Sequence, residues 1–344
     1  MRKRTLIGLI LLAFCLACRL VPAVAEFYAV HVYPPLSAGL SLFGSAFRFS
    51  LEKITVLAFA VTFVDILVKA IHRREGLWRW LGQTTVVAVW LYVWFSMGWG
   101  NNYYRPGLYA RNGIARVSFE PETFRRFLDD YTAQLNSVAL GEETVDREAL
   151  EAEIKDFYTD KVTAFGYTRL RSWQHLKRPL LNPLYSAVRV TGFIGPFFCE
   201  PQVNLDLLEF EFPYTAAHEM GHLAGVSSEA EASYWGFVFC RQSSNPAVRY
   251  SGYVSILPYV ASNAAYLLTQ DEYQAWLDTL DPKALEDHRR AGEYWDGKQV
   301  RWIERLQDWT YNLFLKSHGL SEGVKDYFGV VAMIMTMDAA GVTL

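Results

Sequence analysis

Residues 213–233 read PYTAAHEMGHLAGVSSEAEAS. Within them HEMGH sets two histidines four apart, with a glutamate directly after the first. Residues four apart share one helix face, so His218 and His222 can present their imidazoles to one point. Glu219 is rotated by about 100° from His218 and can reach a water at that point without ligating a metal. Two imidazoles and a neighbouring carboxylate suit zinc hydrolysis: the metal lowers the pKa of water toward about 7, and the glutamate takes the proton as the water attacks a carbonyl. The local sequence permits the helix. Pro213 suits a first turn, Ala216 and Ala217 favour helix, and Gly225 can end it. A pattern of three fixed positions in five arises by chance in roughly one chain in a hundred of this length. Here, however, Phe212, Tyr214, Met220 and Leu223 make the surroundings apolar, where ionisable groups are costly unless partnered or functional.

A zinc site needs a third protein ligand. Ser228 followed by Glu231 makes a capping box, which starts a second helix after a short turn and gives Glu231 a purely structural alternative role. Glu229 and Glu231 point about 200° apart on that helix, so only one can face the metal. Glutamate zincins take the third ligand from an E-x-x-x-D/N pattern. EAEAS fits it with Glu229 as ligand, although Ser233 stands where a carboxylate or amide is usual. Glu229 is the favoured ligand and Glu231 the alternative.

Outward from the motif, the chain divides by composition. Its 344 residues carry a net charge of -3, with 51% hydrophobic and 15% aromatic residues and a pI near 6.2. This balance gives no reason to expect a nucleic-acid partner. The apolar residues concentrate in the first hundred positions, as in a membrane module joined to a water-soluble domain. Behind MRKR lies the apolar run TLIGLILLAFCLACRLVPAVA. It reads as a retained span, with Arg19 near its outer end; an Ala23-Val24-Ala25 pattern before Glu26 leaves signal-peptide cleavage as the alternative. Ile54–Ile71 and Trp78–Trp99 give two further runs, the last with tryptophans at both ends. Arg2, Lys3 and Arg4, together with Lys69, Arg73, Arg74 and Arg79, place the N-terminus and the second link in the cytoplasm by the positive-inside rule. The expectation is a multi-pass protein of the bacterial cytoplasmic membrane. Residues 1–99 form a membrane module of three transmembrane helices in contact with the lipid bilayer, and residues 100–344 form an extracytoplasmic domain.

Within that domain, 119–165 reads as two helices capped by Ser118 and Asp146, and 246–268, 282–318 and 323–338 read as three more. The last is too short to span a bilayer and reads as buried. SAVRVTGF (186–193) and PQVNLDL (201–207) are the best strand candidates. The fold class is therefore mainly α: N-terminal transmembrane helices, then a mostly helical zincin-like domain with a few short strands. Cys199 and Cys240 are permitted a disulfide outside the cytoplasm, the alternative being two buried thiols. His288 and His318 sit among charges and read as surface residues. Tyr250 and Tyr253 are candidates to stabilise an oxyanion, against plain packing. Pro201–Leu207 is a candidate segment for holding substrate.

GPFFCEPQVN, AAHEMGHLAGVSSEAEASYWGFVFC, RYSGYVSILPYV and LKSHGLSEGVKDYFGVVAMIM occur in this order behind the three apolar runs. In this the chain resembles the domain-of-unknown-function 3810 family of bacterial membrane proteins. The resemblance implies a membrane-anchored, zinc-dependent peptidase-like domain and supplies no substrate. It also marks departures: the family carries Asn where Ser233 stands, and a Thr-Gly pair where Phe198 and Cys199 precede Glu200. The expected function is a zinc (Zn2+) metallopeptidase acting on an unknown peptide or envelope protein, with Glu219 as general base. The alternative is a non-catalytic, zinc-stabilised envelope scaffold or binding protein.

Overall fold

The computed structural model describes residues 3–73, 76–117, 120–139, 144–303 and 329–342. Helices dominate. They are α1 Lys3–Leu20, α2 Pro22–Phe27, α3 Tyr33–Ser45, α4 Glu52–His72, α5 Leu77–Gly98, α6 Leu108–Asn112, α7 Pro121–Val138, α8 Arg147–Asp160 and α9 Asn182–Ala187. A hairpin of β1 Gly192–Gly195 and β2 Glu200–Val203 follows. The remainder is α10 Phe212–Leu223, α11 Glu229–Gln242, α12 Pro246–Leu267, α13 Gln270–Leu277, α14 Pro282–Lys298 and α15 Gly329–Ala339. The mainly α expectation holds.

The helix ends follow local chemistry. Asp146 caps α8 as read from sequence, its carboxylate accepting from the amides of Glu148 and Ala149. Ser118, expected to cap α7, lies outside the described residues, as do Arg74, His318, and the parts of the expected helices at 304–318 and 323–328. The described part of the last helix, α15, buries Val330, Val331, Ile334 and Met335, as its apolar pattern requires. The strands are shorter than expected. Ser186 and Ala187 complete a helix begun at Asn182 and Pro183, and Arg189, with φ 56°, turns the chain before β1 begins.

The three apolar runs become α1, α4 and α5. Among the described residues one helix, α4, is long and apolar enough to cross a membrane. A second candidate is α1 taken with Pro22–Ser45, a pair bent by 115°. Three separate spans were expected; in α5, Gln83, Thr84, Thr85 and the tryptophans dilute the apolar character.

One hydrophobic core joins both halves of the chain. Tyr28, Tyr33 and Trp99 are buried in the same cluster as Met220, Leu223, Trp235 and Val254, so residues on both sides of position 99/100 pack into one interior. Two polar contacts tie the N-terminal part to the motif helix. The Tyr33 hydroxyl donates to the Leu223 carbonyl at 2.8 Å, and the Trp99 indole N–H donates to the His222 carbonyl at 2.9 Å. Both bind carbonyls in the last turn of α10; the His222 carbonyl also accepts from the Gly225 amide at 3.0 Å. Replacing Tyr33 with Phe leaves the Leu223 carbonyl buried without that donor. The expected cost is about 1–3 kcal/mol, read as a fall of several degrees in the melting temperature of the full chain in detergent; an unchanged melting temperature would refute the tie.

Candidate metal centre

α10 carries His218, Glu219 and His222, and α11 lies against it. Between the two helices Gly225 adopts φ 96°, a left-handed conformation that lets α10 stop abruptly. Ser228 then caps α11, accepting from the Glu231 amide at 3.3 Å. Both features follow the sequence reading, and together they fold the second helix back over the first.

The imidazoles meet at one point. His218 Nε2 and His222 Nε2 are 3.1 Å apart, and Glu229 Oε2 stands 3.3 Å from the first and 3.7 Å from the second. His222 Nδ1 lies 2.8 Å from the Val226 carbonyl, which can only accept, so this nitrogen carries the proton and Nε2 is directed to the centre. His218 Nδ1 lies 3.4 Å from the Ser233 hydroxyl. Ser233 thus takes up the orienting position that the usual carboxylate or amide would fill. Glu219 completes the group: one of its carboxylate oxygens and a nitrogen from each histidine lie within 4.8 Å of one another, a set able to hold a metal ion.

The environment sorts the four groups. Glu219 is only 4% exposed, and its Oε2 has no hydrogen-bond partner. Burial pushes its carboxyl up to about 8, with His222 drawing it back and Glu229 adding to the rise. Burial lowers His218. It opposes protonation of His222 too, but the Glu229 and Glu219 carboxylates outweigh it and raise that imidazole to about 9. Desolvation of the Glu229 tip works against its ionisation, yet the two imidazoles hold it well below the usual carboxylate range. The Glu229 side chain is 61% exposed, against 5% for His222. The centre therefore opens to solvent on the Glu229 side and is closed on the Glu219 side.

Glu231 has a different place. It is 7% exposed; Oε1 accepts from the Leu108 amide at 2.9 Å and Oε2 accepts from the Tyr167 hydroxyl. Its carboxylate buttresses the segment leading into α6 and lies turned away from the histidines. Tyr250 donates to Asp287 at 2.7 Å, and Tyr253 packs on Tyr131 with ring centroids 5.7 Å apart; both take the packing role. Cys199 and Cys240 are buried free thiols, and His288 is exposed.

The residue missed in the sequence is Gly192. A Cβ built there would stand 2.3 Å from Glu219 Oε1, so the backbone of β1 lies directly over the glutamate. A glycine inside a strand pattern signals such a close approach. The candidate substrate-holding segment shifts accordingly. Pro201–Val203 is an inner strand, bonded to β1 on one side and to Lys177 on the other, with the Lys177 amide donating to the Pro201 carbonyl at 2.7 Å. Among the described residues, β1 pairs with no strand besides β2.

The fold and site together define a mainly helical chain with a His-Glu-His group able to hold a metal and at least one helix able to cross a membrane. The chain belongs to the protein family of unknown function DUF3810, whose model matches residues 28–335. No curated protein and no solved structure matched it.

The two glutamates of α11 separate by experiment. Glu229→Gln is expected to lose bound metal, measured by elemental analysis of the purified chain. Glu231→Gln should keep it while melting earlier, because a buried acceptor pair is replaced by an amide, at about 1–3 kcal/mol. Equal metal content in the two variants would refute this division of roles.

Proposed function

We propose that the chain is a membrane-anchored zinc metallopeptidase, with its catalytic part on the extracytoplasmic side of a multi-pass bacterial membrane protein. One observation carries the reading: His218, His222 and Glu229 converge on a point beside a buried, unpartnered glutamate. Tetrahedral zinc with ligand distances near 2.0–2.1 Å sets its donors about 3.3 Å apart. The observed separations of 3.1, 3.3 and 3.7 Å suit that arrangement, and both Nδ1 atoms have orienting partners. His218, His222 and Glu229 would hold the ion, whose Lewis acidity lowers the pKa of water toward about 7 and polarises a carbonyl.

The chain's own groups supply the rest. Glu219, buried beside the two imidazoles, is placed to accept a proton from water and deliver it to a leaving amine. Its position under Gly192 keeps water from its inner side, so the proton is passed toward the open face. Val226 and Ser233 fix the two imidazoles in the rings' working orientation. The positive-inside pattern of basic residues and the apolar exterior of α4 support the membrane anchoring.

The test uses the full chain, because its two halves share one core. Zinc content and cleavage of a peptide library are measured for the parent chain, Glu219→Gln and His222→Ala. Glu219→Gln should retain zinc and lose turnover by about 100-fold or more, whereas His222→Ala should lose both. A parent chain that binds no zinc would sink the proposal. Zinc binding without turnover would leave the non-catalytic scaffold as the better reading.

A further inference from the structure

Among the described residues β1 pairs only with β2, and its other edge has a definite hydrogen-bonding face. β1 and β2 are antiparallel, with Ile194 opposite Pro201 and Gly192 opposite Val203. Pro201 has no N–H, and its carbonyl is turned outward to the Lys177 amide. Ile194 and Pro201 therefore form a non-hydrogen-bonded pair, as do Gly192 and Val203 two residues along. It follows that the N–H and C=O of Gly192 and Ile194 point away from β2; Gly192 and Phe193 form the accessible end of this edge, Ile194 and Gly195 its buried end. An extended polypeptide can add itself as a strand at such an edge, and one seated there passes over the Glu219 carboxylate beneath Gly192.

The same strand leads from the metal centre to the apolar helices. At its far end, a Cβ built on Gly195 would stand 3.4 Å from Glu52 Cβ, in the first residue of α4, and Glu52 accepts from Gln202 of β2 at 3.0 Å. The hairpin turn then inserts between α4 and α5. The Trp94 indole donates to the Phe197 carbonyl at 2.8 Å, and the Phe197 ring lies 6.4 Å from that of Phe59. Phe59 is seven residues into α4, about 10 Å along the helix. Four strand residues likewise span about 10 Å, so Glu219 sits about that far from the level at which α4 begins. Only 6% of the apolar window of α4 is buried. Around its start, Phe43, Phe47, Leu181, Leu184 and Phe193 project as exposed apolar side chains, with the Lys53 ammonium 5.3 Å from the Phe193 ring. Exposed apolar groups beside a basic residue at the mouth of an apolar helix suit a bilayer interface.

We propose that the substrate of this centre is a membrane-anchored polypeptide, cut in the extended segment next to its anchor while paired to the edge of β1. This rests on the peptidase reading above and narrows it. A chain leaving the bilayer beside α4 passes the exposed Phe193 and meets the edge at Gly192, over the catalytic glutamate, within its first few residues.

Two measurements test the proposal on the full chain in phosphatidylglycerol-containing vesicles. All four native cysteines are buried, so Phe193→Cys, Leu184→Cys and, as a water-facing control, Glu272→Cys can each be labelled selectively with an environment-sensitive dye. The dyes at 193 and 184 should be quenched by spin-labelled lipid and the dye at 272 by aqueous iodide; quenching of all three by iodide alone would overturn the apposition whatever the activity. In the zinc-loaded chain, a peptide library fused to a transmembrane helix should be cut roughly tenfold or more faster than the same library free in solution, at sites within about ten residues of the anchor. Equal rates, or cuts far from the anchor, would overturn the substrate assignment. Lipid-quenched dyes with no cleavage of either library would instead overturn the peptidase reading and this assignment with it, while the bilayer contact stands.

Discussion

A carboxyl group buried without a hydrogen-bond partner costs several kcal/mol in its ionised form and is relieved by taking up a proton or by a nearby cation. Glu219 is held in that condition: 4% exposed, with Oε2 unpartnered and the backbone of Gly192 against its other oxygen. Everything around it limits the ways in which that cost can be relieved. The two histidines and Glu229 gather on its open side, and the hairpin closes the other. Burial favours a protonated Glu219 and the imidazole of His222 counters this, leaving the carboxyl raised to about 8. Its raised affinity for a proton is thus a consequence of packing rather than of glutamate chemistry.

The neighbouring glutamates show how position decides role. Glu229 and Glu231 are two residues apart on one helix and point in nearly opposite directions. Glu229 reaches the histidines with a largely exposed side chain. Glu231 is buried and binds the amide of Leu108 and the hydroxyl of Tyr167. The capping box read from Ser228 and Glu231 is half formed: Ser228 accepts from the Glu231 amide, while the Glu231 carboxylate has gone to the α6 entry. A buried acceptor with two long-range donors outcompetes a local cap, because those donors would otherwise be left unpaired in the interior.

What could be read in the sequence was what is encoded locally. The spacing of His218 and His222, the stop at Gly225, the cap at Ser228 and the opposition of Glu229 and Glu231 all follow from helix geometry and backbone preference. So does the choice of helix over strand for most of the chain. The supports of the centre were not legible. Tyr33 and Trp99, which satisfy the last carbonyls of α10, are more than a hundred residues away from it, and no periodicity connects them. The strand at 186–193 was misplaced because Ser186 and Ala187 follow an Asn-Pro helix start, a local signal stronger than the β-branched residues after it. Gly192 did carry a signal, a glycine within an apolar extended run, whose meaning needed a partner that sequence alone does not name.

The turn of the hairpin joins local strain to long-range packing. Cys199 adopts φ 52°, a conformation that glycine takes freely and that costs other residues about 1 kcal/mol or more. Cys199 is one of the departures marked by the family resemblance, standing where that resemblance implies glycine, and the backbone has the shape glycine would favour. Cysteine is tolerated because its thiol is buried and donates to the Gly98 carbonyl at 3.2 Å, at the end of α5. That contact, with the Trp94 bond to Phe197, clamps the turn against α5. The strained residue therefore lies in the turn that ties β1, with Gly192 over Glu219, to the end of α5, so the candidate metal centre and the apolar helices are joined by one short hairpin.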